Sequence, residues 1–276
     1  MCRATGASEP FGALDYNGVV GPPTEASAIG LQIGRTGRDN VHPMNSILAA
    51  SAASASPPSP SRASFDAFIA DPGFPCVGAK SALNKKRIEL AEYASLTDPS
   101  VIADLCARLG SFARENPDPG AVPISFVATF AGPVHDEATF ERDLWKLLQA
   151  MHDHDRARFA WDPTVGSDPS GSDFSFSIAE RAFFVVGLHP HASRLARRSP
   201  FPCVVFNFHN QFENLKASGK YQTMQAAIRS RDLALQGSIN PVLARFGEAS
   251  EARQYAGRAV EGAWRCPFHA RGAAHA

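Results

Sequence analysis

Two apolar runs in this sequence each end on a histidine: Phe183-Phe184-Val185-Val186-Gly187-Leu188-His189 and Val204-Val205-Phe206-Asn207-Phe208-His209. A histidine at the mouth of a buried strand is partly desolvated and rigidly held. That suits a metal or haem ligand, which must be a neutral imidazole with a fixed direction. On a two-residue period Asn207 and His209 share a strand face, apart from Val204, Phe206 and Phe208. The plainer alternative is a histidine that caps a strand end and bonds a backbone carbonyl. Cys266 precedes Pro267 and Cys76 follows Pro75. A thiolate beside proline can ligate haem iron, although a lone cysteine is more often a small buried apolar side chain. His189-Pro190-His191 has the form of a ligand pair, but no second ligand set stands at zinc-site spacing. His152 and His154, two apart on a helix, point to different faces and read as surface residues. Arg194, Arg197 and Arg198 follow His189 closely. Their planar forks could bind a carboxylate or a propionate; otherwise they are solvated loop residues. No GxSxG, no P-loop and no GxGxxG after a strand is present, which argues against hydrolase, triphosphatase and dinucleotide chemistry. Residue types and spacing therefore lead as far as an α+β domain with a His- or Cys-based centre.

The elements that must position these residues are legible from periodicity. Residues 98–115 open on Asp-Pro-Ser and carry Val101, Ile102, Leu105, Leu109 and Phe112 at helical spacing. Residues 124–130 (ISFVATF) read as a strand, and residues 136–156 as a helix with Phe140, Leu144, Leu147, Leu148 and Met151 on one face. Residues 162–173 are a loop by their Gly, Pro, Ser and Asp content. Residues 174–178, 182–189 and 203–209 read as strands, the last two of fully buried type. Residues 212–236 and 248–261 read as helices, and residues 87–96 as a strand or a short helix. The expected fold is α+β: one domain with a central mixed or antiparallel sheet flanked by helices.

Composition sets limits on this domain. The chain has 276 residues with 27 Lys+Arg against 27 Asp+Glu, so no electrostatic case exists for sequence-independent nucleic-acid binding. No run of ~18 apolar residues would span a membrane. Residues 1–64 carry four basic and four acidic residues with no sustained apolar period, and sixteen of the twenty-one residues 44–64 are Ala, Ser or Pro. Such a segment buries too little apolar surface to offset its chain entropy. Residues 1–64 are expected to be disordered, residues 1–43 being either a mis-assigned start, with translation beginning at Met44, or a genuine flexible tail, and residues 65–270 are expected to form the domain. Five cysteines, an odd number, form no CxxC, and residues 1–20 lack the apolar block of a secretory signal. A reducing, cytoplasmic setting is expected.

Several segments, in order, resemble the YqcI/YcgG family. They are Phe74-Pro75-Cys76-Val77-Gly78-Ala79-Lys80-Ser81-Ala82; Phe184-Val185-Val186-Gly187-Leu188-His189-Pro190 with Ala192-Ser193-Arg194; and Phe206-Asn207-Phe208-His209-Asn210-Gln211-Phe212-Glu213. Ile228-Arg229-Ser230-Arg231-Asp232, Gln236-Gly237-Ser238-Ile239-Asn240-Pro241, Gly247-Glu248-Ala249-Ser250-Glu251 and Trp264-Arg265-Cys266-Pro267-Phe268 complete the set, covering about residues 65–268. The resemblance implies a haem-dependent N-oxygenase that hydroxylates a nitrogen of arginine or of a related guanidino compound. It implies haem b, O₂, an electron donor and a small guanidino or amine substrate. His209 is the first choice of axial ligand, with Asn207 beside it; His189 is the second choice and Cys266 the thiolate alternative. Arg194 and a carboxylate, Glu213, Glu251 or Glu248, are the candidates to hold the substrate, because a guanidinium asks for a carboxylate fork. The same ligands would serve a haem-binding or gas- or redox-sensing protein without turnover. A third possibility is a non-haem interaction domain in which both histidines are structural.

Overall fold

A computed structural model describes residues 59–120, 122–134, 136–240 and 249–272. The expectations for residues 1–58, including the start at Met44, and for Glu248 lie outside the described residues. The helix α1 (Arg62–Ala70) begins before residue 65: Ser61 is its N-cap, accepting the Ser64 N–H, and Phe65 and Ile69 are buried. The helix α2 (Val77–Asn84) follows at once. Neither helix was marked by a long apolar period, since each spans about two turns.

The remaining elements are β1 (Ile88–Tyr93), α3 (Val101–Glu115), β2 (Ser125–Phe130), α4 (Glu137–Asp155), β3 (Phe176–Ile178), β4 (Arg181–Leu188), β5 (Cys203–Phe208), α5 (His209–Ala217), α6 (Lys220–Gln236) and α7 (Ala252–Tyr255). The strands form one mixed sheet in the order β1-β2-β5-β4-β3. β1 and β2 are parallel, with α3 as the crossover between them; the other pairs are antiparallel. The fold is thus α+β with a central mixed sheet, as the alternation of elements predicts.

The period-2 pattern of the strands sorts their side chains to two faces. Phe126, Ala128 and Phe130 of β2, Phe183 and Val185 of β4, and Val204, Phe206 and Phe208 of β5 join α3 and α4 in the larger core. Phe112 stacks on Phe208 with ring centroids 4.9 Å apart. The other face carries Val127, Val186, Leu188, Cys203 and Val205, and packs on Phe65, Ile69 and Phe74. Neither core includes a residue of α5 or α6, so these two helices cover the second face without filling it.

Three boundaries differ from expectation. Strand β5 ends at Phe208, and His209 is the first residue of α5, so His209 does not continue the face of Asn207. The helical stretch beyond residue 212 is two helices, broken at Gly219 in the left-handed region at φ 69. The expected last helix, 248–261, contains only one turn, α7, because Gly257 at φ 82 stops it. The segment beyond α7 instead lies on α4, where Glu141 takes Arg258 at 2.8 Å and the Trp264 indole N–H at 2.9 Å. His152 also departs from expectation: it is buried against Trp161 and Phe268 and accepts the Arg271 N–H at 2.9 Å. His154 is exposed.

The β3–β4 hairpin has a two-residue turn, Ala179-Glu180, with both residues at positive φ (52 and 59). That conformation favours Asn-Gly and costs a non-glycine pair. Asp155 offsets the cost by accepting the Ala179 N–H, both carboxylate oxygens lying at 3.1 Å. Burial nevertheless raises the Asp155 carboxyl to about 6, against the lowering by the Ala179 N–H. The folded protein therefore holds a proton that the unfolded chain has released. This contribution to stability is complete below about pH 3.8 and is lost as pH rises through about 6. Asp155→Asn, which keeps one acceptor for Ala179, is expected to melt like wild type at pH 4 and above it at pH 7. Thermal unfolding at the two pH values checks this; an equal difference at both would exclude Asp155 as the titrating group.

Candidate functional site

The gap that α5 and α6 leave over the second sheet face is a cavity of about 300 Å³, the lower end of the range for small-molecule sites. Its sheet wall is apolar: Val127, Phe184, Val186, Leu188 and Val205, with Asn207 as a polar member. Asn207 is held by accepting the Ser125 hydroxyl at 2.6 Å across the β2–β5 pair. Opposite stand Tyr221, Met224, Gln225, Ile228, Arg229 and Asp232, one face of α6. Gln211 fixes α5 to the sheet by accepting the Ile124 N–H at 2.7 Å and donating to its carbonyl at 2.9 Å.

Among the described residues that line the cavity, Cys76 is the one Cys or His side chain. It is the N-cap of α2, and its Sγ accepts the Ala79 N–H at 3.4 Å. Pro75 ahead of it contributes no N–H and fixes the approach of the chain. Burial raises the thiol, while the Ala79 and Gly78 N–H groups and Arg197 pull it down. Arg197 lines the same cavity. Its guanidinium donates to the carbonyls of Gly187 at 3.0 Å and Gln254 at 3.2 Å, and among the described residues no carboxylate forms an ion pair with it. Burial lowers Arg197 to about 10, against the pull of Cys76 and Asp232. A half-buried cation whose partners are neutral carbonyls favours an anion beside it, and the Cys76 thiolate or a ligand carboxylate would serve.

Arg194 is a buried member of this wall and not a solvated loop residue. Its Nη2 lies 2.6 Å from Asp232 Oδ2 and from the Ser238 carbonyl, and Nη1 is 2.9 Å from the Ser238 hydroxyl. This clamp ties the short 3₁₀ turn Leu195–Arg197 to the far end of α6.

The expected histidine centre is arranged differently. His209 lies outside the cavity wall, with Nδ1 3.4 Å from Glu251 Oε1 and Nε2 3.9 Å from Glu213 Oε1. Glu251 is buried, and it also accepts Ser175 Oγ at 3.0 Å and Tyr255 OH at 3.2 Å. Burial raises its carboxyl, opposed by His209. The structure thus brings His209, Glu213 and Glu251 together, but on the side of α7 and the β3–β4 pair. Glu213 is exposed and is shared with Lys216. His189 is fully buried, stacked on Phe140 with centroids 4.3 Å apart, and desolvation lowers it to about 4. Cys266 packs at the edge of the larger core, where burial pushes its thiol up to about 12. Neither His189 nor Cys266 lines the cavity. Of the sequence-predicted residues, Arg194, Arg197 and Asn207 line it, and Cys76, the second cysteine candidate, is its thiol. Asp232 and Arg229 sit in a segment the sequence marks, but nothing in their spacing shows that they face a cavity.

Among the described residues no group of three or more His, Cys, Asp or Glu is arranged to hold a metal ion, and no helix is long and apolar enough to cross a membrane. The four described cysteines are free thiols. The donor set around the cavity fits a prosthetic group that needs a single protein ligand: one soft thiol, apolar walls and buried arginines for carboxylates. At about 300 Å³ the cavity as it stands is smaller than a porphyrin. No curated protein and no solved structure matches the chain. The model of the YqcI/YcgG family matches residues 65–269.

Proposed function

The chain belongs to the YqcI/YcgG family, and from that premise we propose that it is a haem-dependent monooxygenase acting on a guanidino or amine nitrogen of arginine or a related small molecule. The observation that carries this reading is Cys76 at the start of α2, sharing an apolar cavity with the half-buried Arg197. Haem b held there would supply O₂ activation, one oxygen atom going to the substrate nitrogen and the other leaving as water, with electrons from a donor protein or small reductant.

The chain's own residues have separate tasks. Cys76 Sγ would hold the iron as a thiolate, a ligand whose electron donation favours O–O cleavage. The Ala79 N–H, the dipole of α2 and the Arg197 charge would favour that thiolate against the burial that raises the thiol. Arg197 and Arg229, which line the cavity, would hold the propionates. Val127, Val186, Leu188, Val205 and Phe184 exclude water. Free thiols match a cytoplasmic setting.

The ferrous-CO spectrum of haem-loaded protein tests the reading, because thiolate and imidazole ligands place the band differently. A thiolate-type band is expected. An imidazole-type band would return the ligand to His209 or His189, and no Soret band after reconstitution would remove haem altogether. Arginine, a reductant and O₂ then separate turnover from sensing: turnover gives a product one oxygen heavier.

A further inference from the structure

The cavity under α5 and α6 holds a cation, Arg197, with no anion against it among the described residues. The charged side chains of the described lining are Arg194, Arg197, Arg229 and Asp232. Arg194 and Asp232 grip each other at 2.6 Å inside the wall. Arg197 has neutral partners instead, the Gly187 carbonyl at 3.0 Å and the Gln254 carbonyl at 3.2 Å. Its Nε forms no hydrogen bond to the described residues and, unlike the Nε of Arg194, is not sealed from contact. The stem of Arg197 packs on Gly257, where an added Cβ would stand 3.2 Å from Arg197 Cγ. The guanidinium is therefore held in place before a ligand arrives, which lowers the cost of binding one. Next to it the sheet offers an apolar track. Val186, Val205 and Val127 stand level across β4, β5 and β2, with Phe184 two residues further along β4. From Leu188 to Phe184 the track runs about 13 Å at the rise of a strand, and Met224 and Ile228 of α6 face it.

We infer that the haem-free chain binds an apolar monocarboxylate in this cavity, the carboxylate on Arg197 and an unbranched tail along Val186 and Val205 toward Phe184. A track that starts at a cation suits an amphipathic anion: the tail leaves water, and the carboxylate meets the planar guanidinium fork. A narrow tail is required because the cavity, at about 300 Å³, is small for a ligand site. A cationic head group finds no matching partner, since Asp232 already accepts Arg194 and the Asn240 N–H. The inference rests on the cavity and not on the haem reading. Haem, also an apolar body with carboxylates, would compete with such a ligand for the same place.

Octanoate, octanol and octylamine share one tail and differ in the head group. Their binding to the full chain, purified without haem, is measured by calorimetry. Wild type is expected to bind octanoate about tenfold to a hundredfold more tightly than octanol, the range of a hydrogen bond to a charged group. Octylamine is expected to bind no more tightly than octanol. Arg197→Gln keeps a donor for the Gly187 carbonyl and removes the charge. It is expected to bring octanoate to the level of octanol and to leave octanol unchanged. Equal binding of octanoate and octanol by wild type, tighter binding of octylamine, or a preference that survives Arg197→Gln would overturn the inference. So would a loss of both probes together, which marks Arg197 as structural only. If Arg197→Gln does not fold, alkylation of wild type supplies the readout. Octanoate is expected to slow the modification of Cys76, which lines the cavity, and to spare that of Cys266, which does not; Cys76 modified at an undiminished rate in saturating octanoate would overturn the inference. Haem is scored separately. No Soret band after reconstitution removes the monooxygenase reading and leaves the carboxylate result standing, whereas a Soret band in a chain that binds no octanoate overturns this inference alone.

Discussion

Cys76→Ser is expected to abolish the thiolate-type CO band and to weaken haem retention by at least about tenfold to a hundredfold. Loss of a mere supporting residue around a metal already costs that much. His209→Ala is expected to leave the band in place. The contrast follows from position: Cys76 lines the cavity, whereas His209, outside its lining, lies between Glu251 and Glu213. Loss of the band in His209→Ala with its retention in Cys76→Ser would reverse the assignment. Alkylation gives an independent readout. Of the four described cysteines, Cys106 and Cys203 are buried and Cys76 and Cys266 partly exposed. Haem should slow the modification of Cys76 and leave that of Cys266 unchanged.

His209 and Cys76 also show what periodicity can and cannot reveal. The strand that leads to His209 is plain in the sequence because its alternating residues are buried on both faces. Where that strand stops is a different matter, decided by Gln211, which clamps both backbone groups of Ile124 and so turns the chain into α5 one residue earlier. That single-residue difference removes His209 from the face of Asn207, since residue 209 is already helical and no longer follows the two-residue period of the strand. For Cys76 the local sequence is informative, with proline before it and a short helix after it. Its importance, however, depends on Arg197, about 120 residues later, and on a cavity that only the packed sheet creates. Arg194 reads as a solvated loop residue until Asp232, on a helix 38 residues away, is brought against it. The sheet and the helices α3 and α4 were legible because each carries a long apolar period. Pairing between distant polar residues leaves no period to read.

The polar character of α6 leads to the second large effect. Over 17 residues α6 buries only Asp232, and neither core includes any of its side chains. A helix with so little buried side chain is held mainly by polar contacts: Arg231 donates to the Pro72 carbonyl at 2.9 Å, Gln236 to the Ser193 carbonyl at 2.9 Å, and Asp232 is gripped by Arg194. Its cavity face, Tyr221, Met224, Ile228 and their neighbours, completes its packing only against whatever fills the cavity. Haem loading should therefore stabilise the protein and change α6 most. At a hundredfold excess over Kd a ligand adds about 2.7 kcal/mol, which for a domain of this size raises Tm by roughly 5–10 °C. Amide hydrogen exchange should slow mainly in α5 and α6, with α3 and α4 changing little because their faces are already buried in the larger core. A loaded protein with unchanged Tm, or protection spread evenly over both sheet faces, would place the ligand elsewhere than under α6.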